Sequence, residues 1–164
     1  MDKQNFYDLN FDQLKNFLIE KVNVKNNKAK MRAQQMFNAV YKKNIKKFDE
    51  LTTFSLELRE KIKELISLAK PKIVDIQKSK DGTIKFLLEL KDKRNVETVL
   101  IPDKSQSRYT ICLSVSVGCY LSCEFCATAQ ISKNLVRNLS PGEIISQIIL
   151  CKDYINDWST QKKI

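Results

Sequence analysis

The chain has 164 residues, with 29 Lys and Arg against 19 Asp and Glu, no His, and a formal charge of +10. That length supports one sizeable domain or two small ones, and the lack of any run of ~18 apolar residues excludes a transmembrane helix. The first residues, Met1-Asp2-Lys3-Gln4-Asn5, carry no apolar signal core, so a cytoplasmic protein with no membrane association is expected.

Phe11, Leu14, Phe17 and Leu18 mark a short amphipathic helix. Ala29, Ala33, Met36, Phe37, Val40 and Tyr41 form one apolar stripe at helical spacing and predict a second helix over 29–41. Leu58, Ile62, Leu65, Ile66 and Ala69 repeat the pattern, with Ser55 as cap, Glu57 in the first turn and Pro71 ending the run. These helices form a small bundle whose Met and aromatic side chains are core. Residues 1–72 hold sixteen Lys and Arg against nine Asp and Glu, an excess of +7, and residues 73–164 add the remaining +3. A basic module of this kind suits a phosphate backbone, although an A+T-rich gene, heavy in Lys, Asn and Ile, encodes the same excess. Lys42, Lys43, Lys46 and Lys47 follow the middle helix and on their own read as a solvated face.

From Lys72 the period changes to alternation. Ile73-Val74-Asp75-Ile76, then Ile84 to Leu90, then Val96 to Ile101 predict a three-stranded antiparallel meander, turned at Asp81-Gly82 and at Lys91–Asn95 and closed by Pro102. Asp103–Ser107 is an expected loop. Thr110–Ser116 reads as a further strand, on which Cys112, Ser114 and Ser116 share a face. Ser140-Pro141-Gly142-Glu143 opens a helix, with Ser140 as N-cap, Pro141 at N1 and Glu143 closing a capping box. Ile144, Ile145, Ile148 and Ile155 are its expected buried stripe, and Cys151 is expected in the core. Strand, loop and helix form the first βα unit of a partial (βα) barrel, which puts the loop at the C-terminal end of a strand, where such barrels keep their chemistry. The fold class is α+β, divided as a helical domain over 1–71, a β meander over 72–107 and an incomplete barrel over 108–164. One βα unit cannot close a barrel, and Trp158 and Ile164 have nothing obvious to pack on, so the chain reads as the N-terminal piece of a larger enzyme with a companion C-terminal part.

The loop holds the most informative stretch. Cys119, Cys123 and Cys126 stand at C-x3-C-x2-C spacing. Three thiolates can hold three irons of a [4Fe–4S] cluster, leaving the fourth iron open, and an open position separates a reactive metal site from a structural one. An open iron can chelate the amino and carboxylate groups of S-adenosylmethionine and cleave it to a 5′-deoxyadenosyl radical, chemistry that no side chain supplies unaided. An odd number of cysteines, five, at such spacing argues for reduced thiols and not a disulfide scaffold. Zinc is the competing reading, with Cys112 as a fourth thiolate.

The residues around the loop bear a resemblance. Val96-Glu97-Thr98-Val99-Leu100-Ile101-Pro102, Arg108-Tyr109-Thr110-Ile111-Cys112, Val117-Gly118-Cys119, Cys123-Glu124-Phe125-Cys126-Ala127-Thr128 and Arg137-Asn138-Leu139 resemble the radical S-adenosylmethionine methyltransferases that methylate C2 of adenine in 23S ribosomal RNA and tRNA. Met31-Arg32-Ala33-Gln34-Gln35 and Phe48-Asp49-Glu50-Leu51-Thr52 resemble that family's helical N-terminal domain. The resemblance runs from about Leu9 to the end and covers less than half of a family member. It implies a [4Fe–4S] cluster on Cys119, Cys123 and Cys126, S-adenosylmethionine as cofactor, and 23S rRNA and tRNA as partners. It also implies Glu97 as proton acceptor and Cys112 as the cysteine that resolves a protein–RNA crosslink through a transient disulfide. Under it, Lys42, Lys43, Lys46 and Lys47 become candidate phosphate contacts. The methyl-carrying cysteine and most cofactor contacts of the family have no counterpart in this sequence. The segment Gln130–Val136 is longer than usual and lacks a glycine, and Asp103–Ser107 is also longer. A non-catalytic basic RNA-binding fragment and a zinc-binding nucleic-acid module are the alternatives.

Overall fold

The computed structural model describes residues 3–103, 105, 107–119, 124–125, 137–158 and 164. The chain divides into two compact units, Met1–Ala69 and Lys70–Ile164. The expected meander and the segment from 108 onward thus fall within one unit.

The first unit is helical. Strand β1 (Gln4–Asn5) leads through a 3-10 turn, Phe6–Asp8, into α1 (Phe11–Glu20); α2 (Asn26–Tyr41), a second 3-10 turn at Phe48–Glu50, α3 (Leu56–Leu65) and β2 (Ile66–Ser67) follow. Helix α1 is started by a capping box in which Asn10 and Gln13 exchange side-chain and backbone bonds, satisfying donors that a helix start leaves open. Ser55 caps α3 as expected, with Glu57 in the first turn. The run ends earlier than expected, because Ile66 and Ser67 leave the helix to pair in parallel with Gln4 and Asn5. Pro71 therefore lies beyond a stop already made by strand pairing. The stripe of α2 is buried at Ala29, Ala33, Met36 and Val40. Phe37 and Tyr41 stack instead with Phe6, Tyr7 and Phe11. Phe6 is fully buried at the centre of this cluster.

In the second unit, β3 (Lys72–Lys78), β4 (Ile84–Glu89), β5 (Asn95–Asp103) and β6 (Arg108–Cys112) form one antiparallel sheet in chain order. The sheet has four strands where sequence pattern predicts three. Pro102 does not close β5. It sits within the strand opposite Tyr109, and Arg108–Cys112 folds back along β5 in register from Asp103↔Arg108 to Val99↔Cys112. The expected strand Thr110–Ser116 is accordingly split. Its first part belongs to the meander sheet, and Ser116–Val117 forms a separate short strand, β7, paired antiparallel with β8 (Arg137–Asn138). At the end of β5, Asp103 Oδ1 accepts from the Ser105 amide at 3.0 Å.

One face of the sheet carries the core. Phe86, Leu88, Leu90, Val96 and Leu100 pack with Val117, Leu139 and Cys151. Helix α4 (Pro141–Tyr154) supplies the other side, and Tyr154 meets Phe86 edge-on at 5.0 Å between ring centres. The start of α4 is as its sequence predicts: Ser140 and Glu143 close the capping box and Pro141 stands in the first turn. Its buried face is so only in part, with Ile144 and Ile155 packed against the sheet core. Gly142, Ser146, Gln147, Ile149 and Cys151 are buried, whereas Ile144, Ile145, Ile148 and Ile155 are half-buried. With so many isoleucines in α4, periodicity alone does not select a face. Trp158 and Ile164 also find partners. The indole of Trp158 donates to Asp153 at 2.9 Å, and Ile164 packs against the sheet core.

Candidate active site

Strand β5 alternates strictly: Val96, Thr98 and Leu100 are buried and Glu97 is exposed on the opposite face. Across the sheet, Lys85 faces Val99, and Val99 faces Cys112. Pleating puts Lys85, Val99 and Cys112 on one face, and Glu97, two residues along β5, shares it. Two of the sequence candidates, Glu97 and Cys112, are thereby brought to the same outer sheet face. The Glu97 carboxylate is paired with the Lys85 ammonium at 3.0 Å. Cys112 is an exposed free thiol at the end of β6. Its expected partners on a continuous strand, Ser114 and Ser116, are arranged otherwise, because the strand stops at Cys112. The Ser114 hydroxyl instead donates to the Glu97 carbonyl at 2.6 Å.

Beyond Ser114 the chain enters β7 and then turns at Gly118, whose φ of +77° lies in the left-handed region. Glycine adopts that conformation without a side-chain penalty. Cys119 follows, half-buried. Cys123 and Cys126 lie outside the described residues, so the expected three-thiolate set is placed here only through Cys119. Among the described residues no three His, Cys, Asp or Glu side chains gather as a metal site, and Cys112, Cys119 and Cys151 form no disulfide. Phe125 is 92% exposed.

The two ends of the loop are fastened together. Ser116 pairs with Asn138 and Val117 with Arg137, and the Leu139 amide donates to the Val115 carbonyl at 2.9 Å. Arg137 then makes a fork onto Glu143, with both contacts at 2.9 Å, while its Nε donates to Asp92 at 2.9 Å. The guanidinium holds the Glu143 and Asp92 carboxyls below their ordinary range, and they in turn raise the guanidinium's own value. This joins the loop base to the N-terminus of α4 and to the β4–β5 turn. Cys151 is buried in the core as expected, and burial pushes its thiol up to about 12.

Sequence reading missed Gln147. Its side chain is fully buried, and its amide joins Thr98 of β5 to Ser114 between β6 and β7. The available signal was a polar Ser146-Gln147 pair inside an isoleucine-rich helical run. It also missed Arg32, which donates to the Thr53 carbonyl at 2.9 Å and lies over the Phe54 ring at 4.7 Å. In the first unit, Lys42, Lys43, Lys46 and Lys47 are exposed after α2, with Lys46 Nζ donating to Asn44 at 2.8 Å.

Comparison with known proteins is consistent across the chain. Residues 4–68 match the family described as ribosomal RNA large subunit methyltransferase N-terminal domain. Dual-specificity RNA methyltransferase RlmN of Oleidesulfovibrio alaskensis is 42% identical over 149 residues, covering 91% of this chain and 40% of that protein. Its counterpart in Campylobacter fetus is 41% identical over 160 residues, covering 91% and 42%. The crystal structure of a radical SAM methyltransferase from Sphaerobacter thermophilus superposes with a TM-score of 0.78 at 30% identity, over 93% of this chain and 42% of that one. In fold, the chain is similar to part of a radical SAM methyltransferase. In sequence, it is similar to RlmN RNA methyltransferases, and it spans about two fifths of the length of the relatives it matches.

Proposed function

We propose that this chain provides the N-terminal part of a cytoplasmic radical SAM enzyme that methylates C2 of adenine in 23S rRNA and tRNA, with a helical RNA-binding domain over 1–71 and the meander and catalytic start after it. The observation that carries the reading is the outer sheet face: Glu97 and Cys112 lie together there, and the chain runs from β6 through β7 to the cysteine loop. Cys119, Cys123 and Cys126 would hold a [4Fe–4S] cluster, and the fit rests on donor chemistry: three thiols of one loop, one of them half-buried at its entrance. With S-adenosylmethionine bound, that cluster supplies the radical chemistry. Strand β7, the loop and α4 would form the first βα unit of the barrel, with the loop at the strand's C-terminal end.

The chain's own residues then have distinct work. Glu97, oriented by Lys85, would accept the proton lost from adenine C2. Cys112 would form a disulfide with a methyl-carrying cysteine of the companion part, which releases the RNA from its covalent link to that cysteine. Cys112 suits this role as an exposed thiol outside the loop. The lysines after α2 would neutralise RNA phosphates.

The test is anaerobic reconstitution with iron and sulfide. A brown, broadly absorbing protein that becomes colourless when Cys119, Cys123 and Cys126 are all changed to Ala is the expected result. A colourless protein carrying one zinc per chain overturns the reading.

A further inference from the structure

We propose that Gln147 is a positioning residue that holds the Glu97 strand, the Cys112 strand end and the entrance of the cysteine loop in one register. The proposal rests on the assignment of Glu97, Cys112 and Cys119 to the reaction, as set out under the proposed function.

The segment between Cys112 and Ser116 belongs to no strand. Its backbone nevertheless has a partner of ladder-like geometry at Ser114. Gln147 Oε1 accepts from the Ser114 amide at 3.0 Å, and Gln147 Nε2 donates to the Ser114 carbonyl at 2.9 Å. A side-chain amide thus pairs with one residue through both its donor and its acceptor, as a neighbouring strand would. The remaining capacity of the amide is also used. Oε1 accepts from the Thr98 hydroxyl at 2.7 Å, and Nε2 donates to the Glu143 carbonyl at 3.2 Å. Two acceptor sites and two donor hydrogens are the full inventory of a glutamine amide. Turning the amide over would set donor against donor and acceptor against acceptor at Ser114, so one orientation is fixed.

The residues tied together are neighbours of the chemistry and not part of it. Thr98 follows Glu97 on β5, and the Ser114 hydroxyl bonds the Glu97 carbonyl at 2.6 Å. Ser114 also lies between the Cys112 thiol and Cys119. Glu143, whose carbonyl receives the last hydrogen, is the residue that grips Arg137 at the far end of the loop. One buried side chain therefore meets β5, the 113–115 segment and the helix start that anchors β8. A helix that only needed to cover the sheet would place an apolar side chain here, since burying an amide is tolerated only when it is fully bonded.

The experiment compares the wild-type chain with Gln147→Met, which keeps volume and loses the amide, and Gln147→Asn, which keeps the amide and cannot reach. Amide exchange is read at Ser114 and, as a reference for the sheet core, at Phe86 and Leu100. The reconstituted cluster is then challenged with an iron chelator. Both variants should lose at least tenfold protection at Ser114 while Phe86 and Leu100 stay within threefold of wild type, and their cluster should bleach at least threefold faster. Thr98→Val, which leaves both Ser114 bonds in place, should keep Ser114 within threefold of wild type. Unchanged protection at Ser114 in both variants overturns the proposal. Equal loss at Ser114, Phe86 and Leu100 also overturns it, because Gln147 is then a general core residue. A wild-type chain that takes up no iron removes the cluster reading, and the exchange data still decide whether Gln147 holds Ser114.

Discussion

Single side chains set the reactivity of the cysteines outside the loop. Cys151 is enclosed by the core and its thiol is pushed up to about 12, so at pH 8 it is protonated and shielded; Cys112 is exposed. A thiolate, not a thiol, is the nucleophile. Peptide mapping after iodoacetamide treatment at pH 8 should therefore find Cys112 modified in the native chain and Cys151 modified only after denaturant. Early modification of Cys151 would show that the packing of α4 against the sheet is not as described. Gly118 is the second residue whose local state decides something. Its φ of +77° is one that a side chain adopts at a cost of roughly 1–2 kcal/mol. Gly118→Ala should lower the urea midpoint of the Lys70–Ile164 unit by a corresponding amount, and an unchanged midpoint would mean that the turn into Cys119 relaxes freely.

At the scale of elements, the fastening of the loop base depends on Arg137. Its partners Glu143 and Asp92 both have carboxyls held below their ordinary range by the guanidinium. A carboxyl whose value is lower in the folded state contributes stability above its unfolded value, about 4, and loses that contribution as pH falls through the folded value. Arg137→Met should accordingly destabilise the unit at pH 7, leaving Glu143 without its cation and Asp92 with Arg94 alone, at 3.7 Å. The difference from wild type in thermal midpoint should shrink steadily below about pH 4 as both protonate. A difference that stays constant down to pH 2 would assign the effect to packing. The same network shows what a sequence does and does not disclose. Ser140, Pro141 and Glu143 were legible because capping is a local code read over three residues. The bond from Arg137 to Asp92 joins residues 45 apart in sequence, and nothing local marks it. Strand β6 was misread for a related reason. Pro102 looks like a terminator, but where it stands in β5 the strand continues to Asp103, and the pairing partner is revealed only by the fold.

For the whole molecule, the order of elements and the cysteine spacing were legible, because helical and alternating periods differ and thiolate spacing carries its own chemistry. The side of the sheet that α4 covers, and the amide that pins Ser114, were not legible, because long-range register and buried polar satisfaction are properties of the assembled chain. Net charge is the remaining whole-chain property with a consequence. The +10 excess is concentrated in residues 1–72, and Lys42, Lys43, Lys46 and Lys47 stand exposed there. If the chain meets RNA through phosphates, each neutralised phosphate releases counterion and contributes about 0.7–0.9 to the slope of log affinity against log salt. Four engaged lysines would supply a slope of about −3 between 50 and 200 mM salt. Changing all four to Gln should flatten the slope by nearly that amount. The fold should survive, since these side chains are exposed and surface changes away from special features usually stay within about 0.5 kcal/mol. The measurement is a fluorescence-anisotropy titration of a labelled rRNA hairpin across that salt range, with circular dichroism to confirm the helices. A slope that persists in the quadruple variant would move the contact to other basic residues of the unit. Affinity indifferent to salt would remove phosphate recognition from the function of the helical unit.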